Sequence, residues 1–64
     1  MKIGTRVVAQ ETIVADYEIV ARPGDLGTVV VEDENSPTVR FDNGLATIVD
    51  PTYEVIPAGS FAFA

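Results

Sequence analysis

Polar and apolar positions alternate most cleanly over Thr38–Asp42, where Val39 and Phe41 fall on one parity and Thr38, Arg40 and Asp42 on the other. A period of two is the mark of a strand with one buried face. A second strand reads from Gly27, with Val29 and Val31 expected on one face and Thr28, Val30 and Glu32 on the other. Thr5 to Val14, TRVVAQETIV, alternates less sharply. Val7, Ala9 and Ile13 form its better core parity, and Arg6, Val8, Gln10 and Thr12 the opposite one. Leu45 to Asp50 and Tyr53 to Ile56 supply two further strands, with Val55 the expected buried residue of the last.

The punctuation between these runs predicts how they connect. Asn43-Gly44 is the strongest local signal, because a two-residue type I′ hairpin needs positive φ at both central positions and these residues tolerate it. Glu32 to Pro37 is a polar loop. Asp16 to Gly24 reads as an arm with a short strand at Tyr17–Ala21, ended by a turn at Arg22-Pro23-Gly24-Asp25. Asp50-Pro51-Thr52 predicts a tight turn or a single 3₁₀ turn, since proline pre-sets φ. Pro57 closes the last strand, which places a barrel over residues 1–57 and a tail, AGSFAFA, over 58–64.

Sixty-four residues make one domain, and a chain this short buries only about 60% of its unfolded surface. With no Cys and no His, disulfides and ordinary zinc sites are excluded. The lack of thiols, the absence of a secretory pattern in MKIGTRVV and the lack of an apolar run of ~20 residues predict a soluble, cytoplasmic protein. Four basic residues face ten acidic ones, a net charge of −6. Nucleic-acid binding draws on phosphate neutralisation by Lys and Arg, so the balance argues against direct contact with DNA or RNA and favours a basic protein partner.

In order, the segments KIGTRV, GDLGTVVVED, TVRFDNG and DPTYEVI resemble the SH3-like small barrels, over roughly residues 3–57. The likeness extends to the SH3-like accessory subunits of photosystem I, and Gly24 to Val29 is similar to the core of a KOW module, where glycines precede a strand. The resemblance implies an all-β, five-stranded SH3-like barrel with a long arm after the first strand and a short 3₁₀ turn before the last. Many unrelated roles share this fold. The basic residues of RNA-binding KOW modules are missing here, and so is the Trp of peptide-binding SH3 grooves.

The chain offers no nucleophile–base pair. Ser36 and Ser60 have no imidazole to activate them, so no enzyme activity and no cofactor are expected. Glu32, Asp33, Glu34 and Asn35 match no complete calcium loop and read as a solvated turn or as partner contacts. Arg40 is expected on an outer face, either pairing with an acidic neighbour such as Glu32 across the ladder or meeting a partner. By the SH3 resemblance, Tyr53, just after the proline turn, and Tyr17, in the arm, would flank a partner groove; the other reading is half-buried rings with wet hydroxyls. Phe61 and Phe63 would share a face of an extended tail that docks on a strand edge, in cis or between subunits of a homo-oligomer.

The leading expectation is a non-catalytic protein-interaction module or small accessory subunit that uses Tyr17, Glu32, Asp33, Glu34, Arg40 and Tyr53. One alternative is an acidic, phage-type inhibitor that imitates nucleic acid, which requires Asp25, Glu32, Asp33, Glu34 and Asp42 on one face. A second is an oligomeric barrel enclosing a shared ligand site.

Overall fold

The computed structural model describes residues 1–61, and the side chains of residues 1–59. The described residues are all-β apart from one helical turn. Its strands are β1 (Arg6–Ala9), β2 (Ile13–Ala15), β3 (Glu18–Ala21), β4 (Leu26–Val31), β5 (Thr38–Phe41), β6 (Ala46–Ile48) and β7 (Val55–Pro57), followed by α1 (Ala58–Phe61). Five strands form an open antiparallel sheet in the order β6-β5-β4-β1-β7, and β2 and β3 form a separate hairpin. Seven strands therefore replace the five expected, because the arm after the first strand is itself a hairpin.

The core is built mainly of valine. Val7, Val29, Val39 and Val55 are fully buried around Phe41, joined by Ala9, Ile13, Val20, Ala21 and Val49. The clean alternation of Thr38–Asp42 puts Val39 and Phe41 inward as predicted. Gly27 lies opposite Phe41 in the ladder. A Cβ at Gly27 would fall 2.7 Å from Val39 Cγ1 and 2.9 Å from Phe41 Cδ1, so this position admits no side chain without displacing the core.

Several local expectations are corrected. The run Thr5 to Val14 is not one strand: β1 stops at Ala9, and Gln10 to Thr12 bend the chain into the arm. Val8, assigned to the polar parity, is buried between Leu26 and Ile56, because β1 has neighbours on both sides and is covered on both faces. In β4, the register shifts between Val29 and Val31. A bulge sets two residues against one and reverses the facing of the residues beyond it, so Val31 is exposed although Val29 is buried.

The turns also differ in kind. At Asn43-Gly44 only Gly44 has positive φ, at 91°. Gly44 N–H donates to Phe41 C=O at 2.9 Å and Phe41 N–H to Leu45 C=O at 2.8 Å. This is a three-residue loop, a turn closed by a left-handed glycine bulge, rather than a two-residue type I′ hairpin. The connection before β7 is not 3₁₀, since Glu54 N–H donates to Asp50 C=O at 2.9 Å, a span of four residues. Asp50 Oδ1 accepts Thr52 N–H at 2.9 Å, and Glu54 Oε1 accepts Asp50 N–H at 2.6 Å, so the two carboxylates clamp this turn from both ends. The Arg22–Asp25 turn forms as expected, with Gly24 at φ 94° and Asp25 N–H donating to Arg22 C=O at 3.0 Å.

Residues 58–61 form a helical turn lying against β1 and β7, not an extended strand. Phe63 lies outside the described residues, as does the Phe61 side chain, and with them the tail-docking expectation. Among the described residues no helix is long and apolar enough to cross a membrane.

Candidate functional site: the arm and its root

The arm follows from the segment IVADYEIV, in which two short strands, beginning IVA and EIV, are separated by the two residues Asp16 and Tyr17. Ala15 pairs with Glu18 and Val14 with Ile19, leaving Asp16 and Tyr17 as the turn. Both have positive φ, 51° and 63°, which is the type I′ arrangement. Aspartate tolerates this conformation, but a tyrosine Cβ crowds the following carbonyl in it. Tyr17 gains nothing by packing, for it is the most exposed large residue of the arm, at 107%.

A register shift divides the hairpin. Ile13 pairs with Ala21 while Val14 pairs with Ile19, so Val20 is the extra residue of a bulge. That bulge lets consecutive Val20 and Ala21 both turn inward. Asn43 Nδ2 donates to the Val20 carbonyl at 2.9 Å, and Asn43 Oδ1 accepts Leu45 N–H at 2.9 Å. One side chain thus ties the arm to the β5–β6 loop. The other face of the hairpin carries Val14, 61% exposed, and Ile19, 43% exposed. The result is a directly opposed apolar pair behind an exposed tyrosine. Over residues 10–21 the arm carries Glu11, Asp16 and Glu18 and no Lys or Arg.

Tyr53 stands at the root of this arm. Gln10 N–H donates to Glu54 C=O at 2.8 Å, bringing the arm's first residues against the turn that holds Tyr53. The ring is half-exposed. Glu54, then Asp50, then burial and Glu11 hold its phenol above the usual tyrosine range. Tyr17 and Tyr53 occupy opposite ends of the arm, separated by the four-residue climb from Ile13 to Tyr17, roughly 13 Å of strand.

The other predicted residues lie elsewhere. Glu32, Asp33 and Glu34 line a shallow depression of about 330 Å³ together with Met1 and Lys2. Asp33 Oδ1 accepts Asn35 N–H at 2.9 Å and Ser36 N–H at 3.0 Å, which holds its carboxyl below the usual range. Glu32 Oε1 accepts Ile3 N–H at 3.2 Å. The expected Arg40–Glu32 pairing does not form. Arg40 is level with Thr28 on one side and Ala46 on the other, and Glu32 lies beyond the β4 bulge, four residues further along. The ion pair found among the described residues is Arg6–Asp42, which no sequence pattern had suggested. Arg6 donates to both Asp42 oxygens at 2.9 Å and to Thr28 Oγ1 at 2.9 Å. This holds Asp42 below the usual carboxylate range.

The five carboxylates required for nucleic-acid mimicry fall into two groups. Asp25 and Asp42 flank Leu26 at one end of β4, since Asp42 N–H donates to Leu26 C=O. Glu32, Asp33 and Glu34 lie past the other end, roughly 16 Å away along the strand. The Arg6 guanidinium is paired within the first group, so the row is interrupted by a cation. Among the described residues, no cluster of three or more carboxylates converges as a metal site would need.

Comparison with protein-family models, curated proteins and solved structures gives no match.

Proposed function

We propose that this chain is an SH3-like small barrel acting as a non-catalytic protein-interaction module, and that the outer face of the β2–β3 arm meets the partner. The strand order β6-β5-β4-β1-β7, with the hairpin inserted after β1 and a proline-initiated turn before β7, supports the barrel reading. The functional reading rests on one observation: Tyr17 is fully exposed in a backbone conformation that tyrosine adopts at a cost. Backbone outliers of this kind concentrate at binding sites. Val14 and Ile19 extend the same surface, and exposed apolar groups in a contiguous patch mark interaction sites more often than scattered ones do. Tyrosine suits such a contact because its rigid ring contributes area at little entropic cost. The acidic character of residues 10–21 favours a partner with basic residues around an apolar contact.

The test is comparative affinity capture with the whole chain immobilised. Wild type, a Val14→Ser/Ile19→Ser variant and an Arg40→Ala variant are challenged with the same extract, and each retained polypeptide is then purified and titrated. A partner of the arm binds wild type and Arg40→Ala alike and loses at least ~10-fold in affinity against the arm variant. A partner equally indifferent to all three changes would remove the arm from the interface.

A further inference from the structure

We propose that strand β6 pairs with β6 of a second copy of this chain, antiparallel about a two-fold axis through Thr47. Hydrogen-bonded and non-bonded pairs alternate along an antiparallel ladder. Phe41 N–H donates to Leu45 C=O at 2.8 Å and Val49 N–H to Pro37 C=O at 2.9 Å, so Leu45, Thr47 and Val49 turn their backbone groups toward β5. By the same alternation the N–H and C=O of Ala46 and Ile48 point away from it. β6 ends the sheet, and among the described residues nothing donates to these groups or accepts from them.

The edge is self-complementary. With Thr47 on the axis, Ala46 of one copy lies opposite Ile48 of the other, and both carry outward-pointing groups, which gives four backbone hydrogen bonds. The side chains match as well: Ile48, 64% exposed, meets the small Ala46 of its mate. The two Ile48 residues become diagonal neighbours, within reach of each other. The register also places Asp50 opposite Gly44, so no carboxylate directly faces another across the axis. On the outer face, Ile48 continues the row Val31–Thr38–Ile48, and the axis joins two such rows.

The usual protections of an edge strand are lysine, proline, a bulge or a cover. Leu45 to Val49 has no charge, proline or glycine, and the β5–β6 register is unbroken. The other edge differs, for β7 ends in Pro57 and runs into α1. The chain's net charge of −6 opposes association at long range, so added salt strengthens this dimer by screening. The proposal does not depend on the arm, although a dimer would display two arms and gain from bivalent engagement.

Sedimentation velocity over a concentration series tests it, from ~20 μM to ~1 mM because a three-residue edge places the contact in the small, transient class. The expected result is a monomer–dimer equilibrium that shifts toward dimer in high salt. It weakens at least ~10-fold in Ile48→Lys, whose altered side chain is solvent-facing, and in Ile48→Pro, which removes an outward N–H without touching the β5 ladder. Amide exchange at Ala46 and Ile48 slows as concentration rises, while exchange at Thr47 does not change. A monomer throughout the series, a dimer unaffected by both substitutions, or a mass above two chains would each overturn the proposal.

Discussion

Replacing Tyr17 by glycine should stabilise the fold while removing a partner contact. The tyrosine sits at φ 63° in the second turn position of the arm, where an L side chain costs about 1–2 kcal/mol. Glycine removes that strain but adds roughly 0.5–1 kcal/mol of unfolded-state entropy. No burial is lost, since the ring is fully exposed. The balance is a gain of about 0.5–1 kcal/mol, which for a domain of this size raises Tm by roughly 2–8 °C. Urea denaturation monitored by far-ultraviolet circular dichroism measures it, with the slope of the transition unchanged because the buried area is unchanged. A loss of more than about 0.5 kcal/mol would refute the reasoning, for it would mean that the ring packs on the protein and that the strain serves folding.

The core, the arm tether and the charges each carry a further expected outcome. Gly27→Ala drives a methyl into Val39 and Phe41 and should cost about 1–3 kcal/mol in the same denaturation assay. Asn43→Ala leaves the Val20 carbonyl and the Leu45 N–H without their side-chain partner and should cost about 1–2 kcal/mol, with amide exchange accelerated in residues 13–21. Asp33, Asp42 and Asp50 are held below their ordinary range by hydrogen bonds of the folded state. Their stabilisation is present above the unfolded carboxylate pKa and lost as pH falls through the lower folded values, so acid unfolding should begin below about pH 4. Tyr53 is raised; its contribution is present below the unfolded tyrosine pKa and disappears as pH rises through the folded value, so stability should fall above about pH 10. With no histidine in the chain, thermal melts between these limits should be nearly flat.

Strand β5 was legible in the sequence because burial there obeys parity, whereas β1 buries Val7, Val8 and Ala9 in succession. Val39 and Phe41 alternate with polar residues and point inward; Pro23-Gly24 needed only local backbone preferences to mark its turn. Where a bulge intervenes, parity fails. Val31 reads as core from its distance to Val29, and nothing in VVV announces that the register slips between them. The β5–β6 loop was located by Asn43-Gly44, but its type depended on whether Asp42 or Phe41 pairs with Leu45, a difference of one residue. The arm was the hardest segment. IVADYEIV has hairpin spacing, yet its central Asp-Tyr lacks the glycine that normally signals a type I′ turn, so only Tyr17–Ala21 stood out as extended. Of the candidate contacts, Tyr17 and Tyr53 were singled out by their places in the SH3 resemblance, in the arm and just after the proline turn. Val14 and Ile19 were not, because their exposure depends on which face of a two-stranded hairpin is covered. Arg6–Asp42 joins residues 36 apart through the β1–β4–β5 register, which no local pattern reveals.

If the arm's outer face exists for contact rather than for folding, stability and partner affinity must separate there. The most direct measurement determines both for Val14→Ser/Ile19→Ser, using the partner captured by wild type. The expected result is a melting temperature within a few degrees of wild type and a dissociation constant at least ~10-fold weaker. Unfolding of the variant, or undiminished affinity in a folded variant, would contradict a contact role for this face.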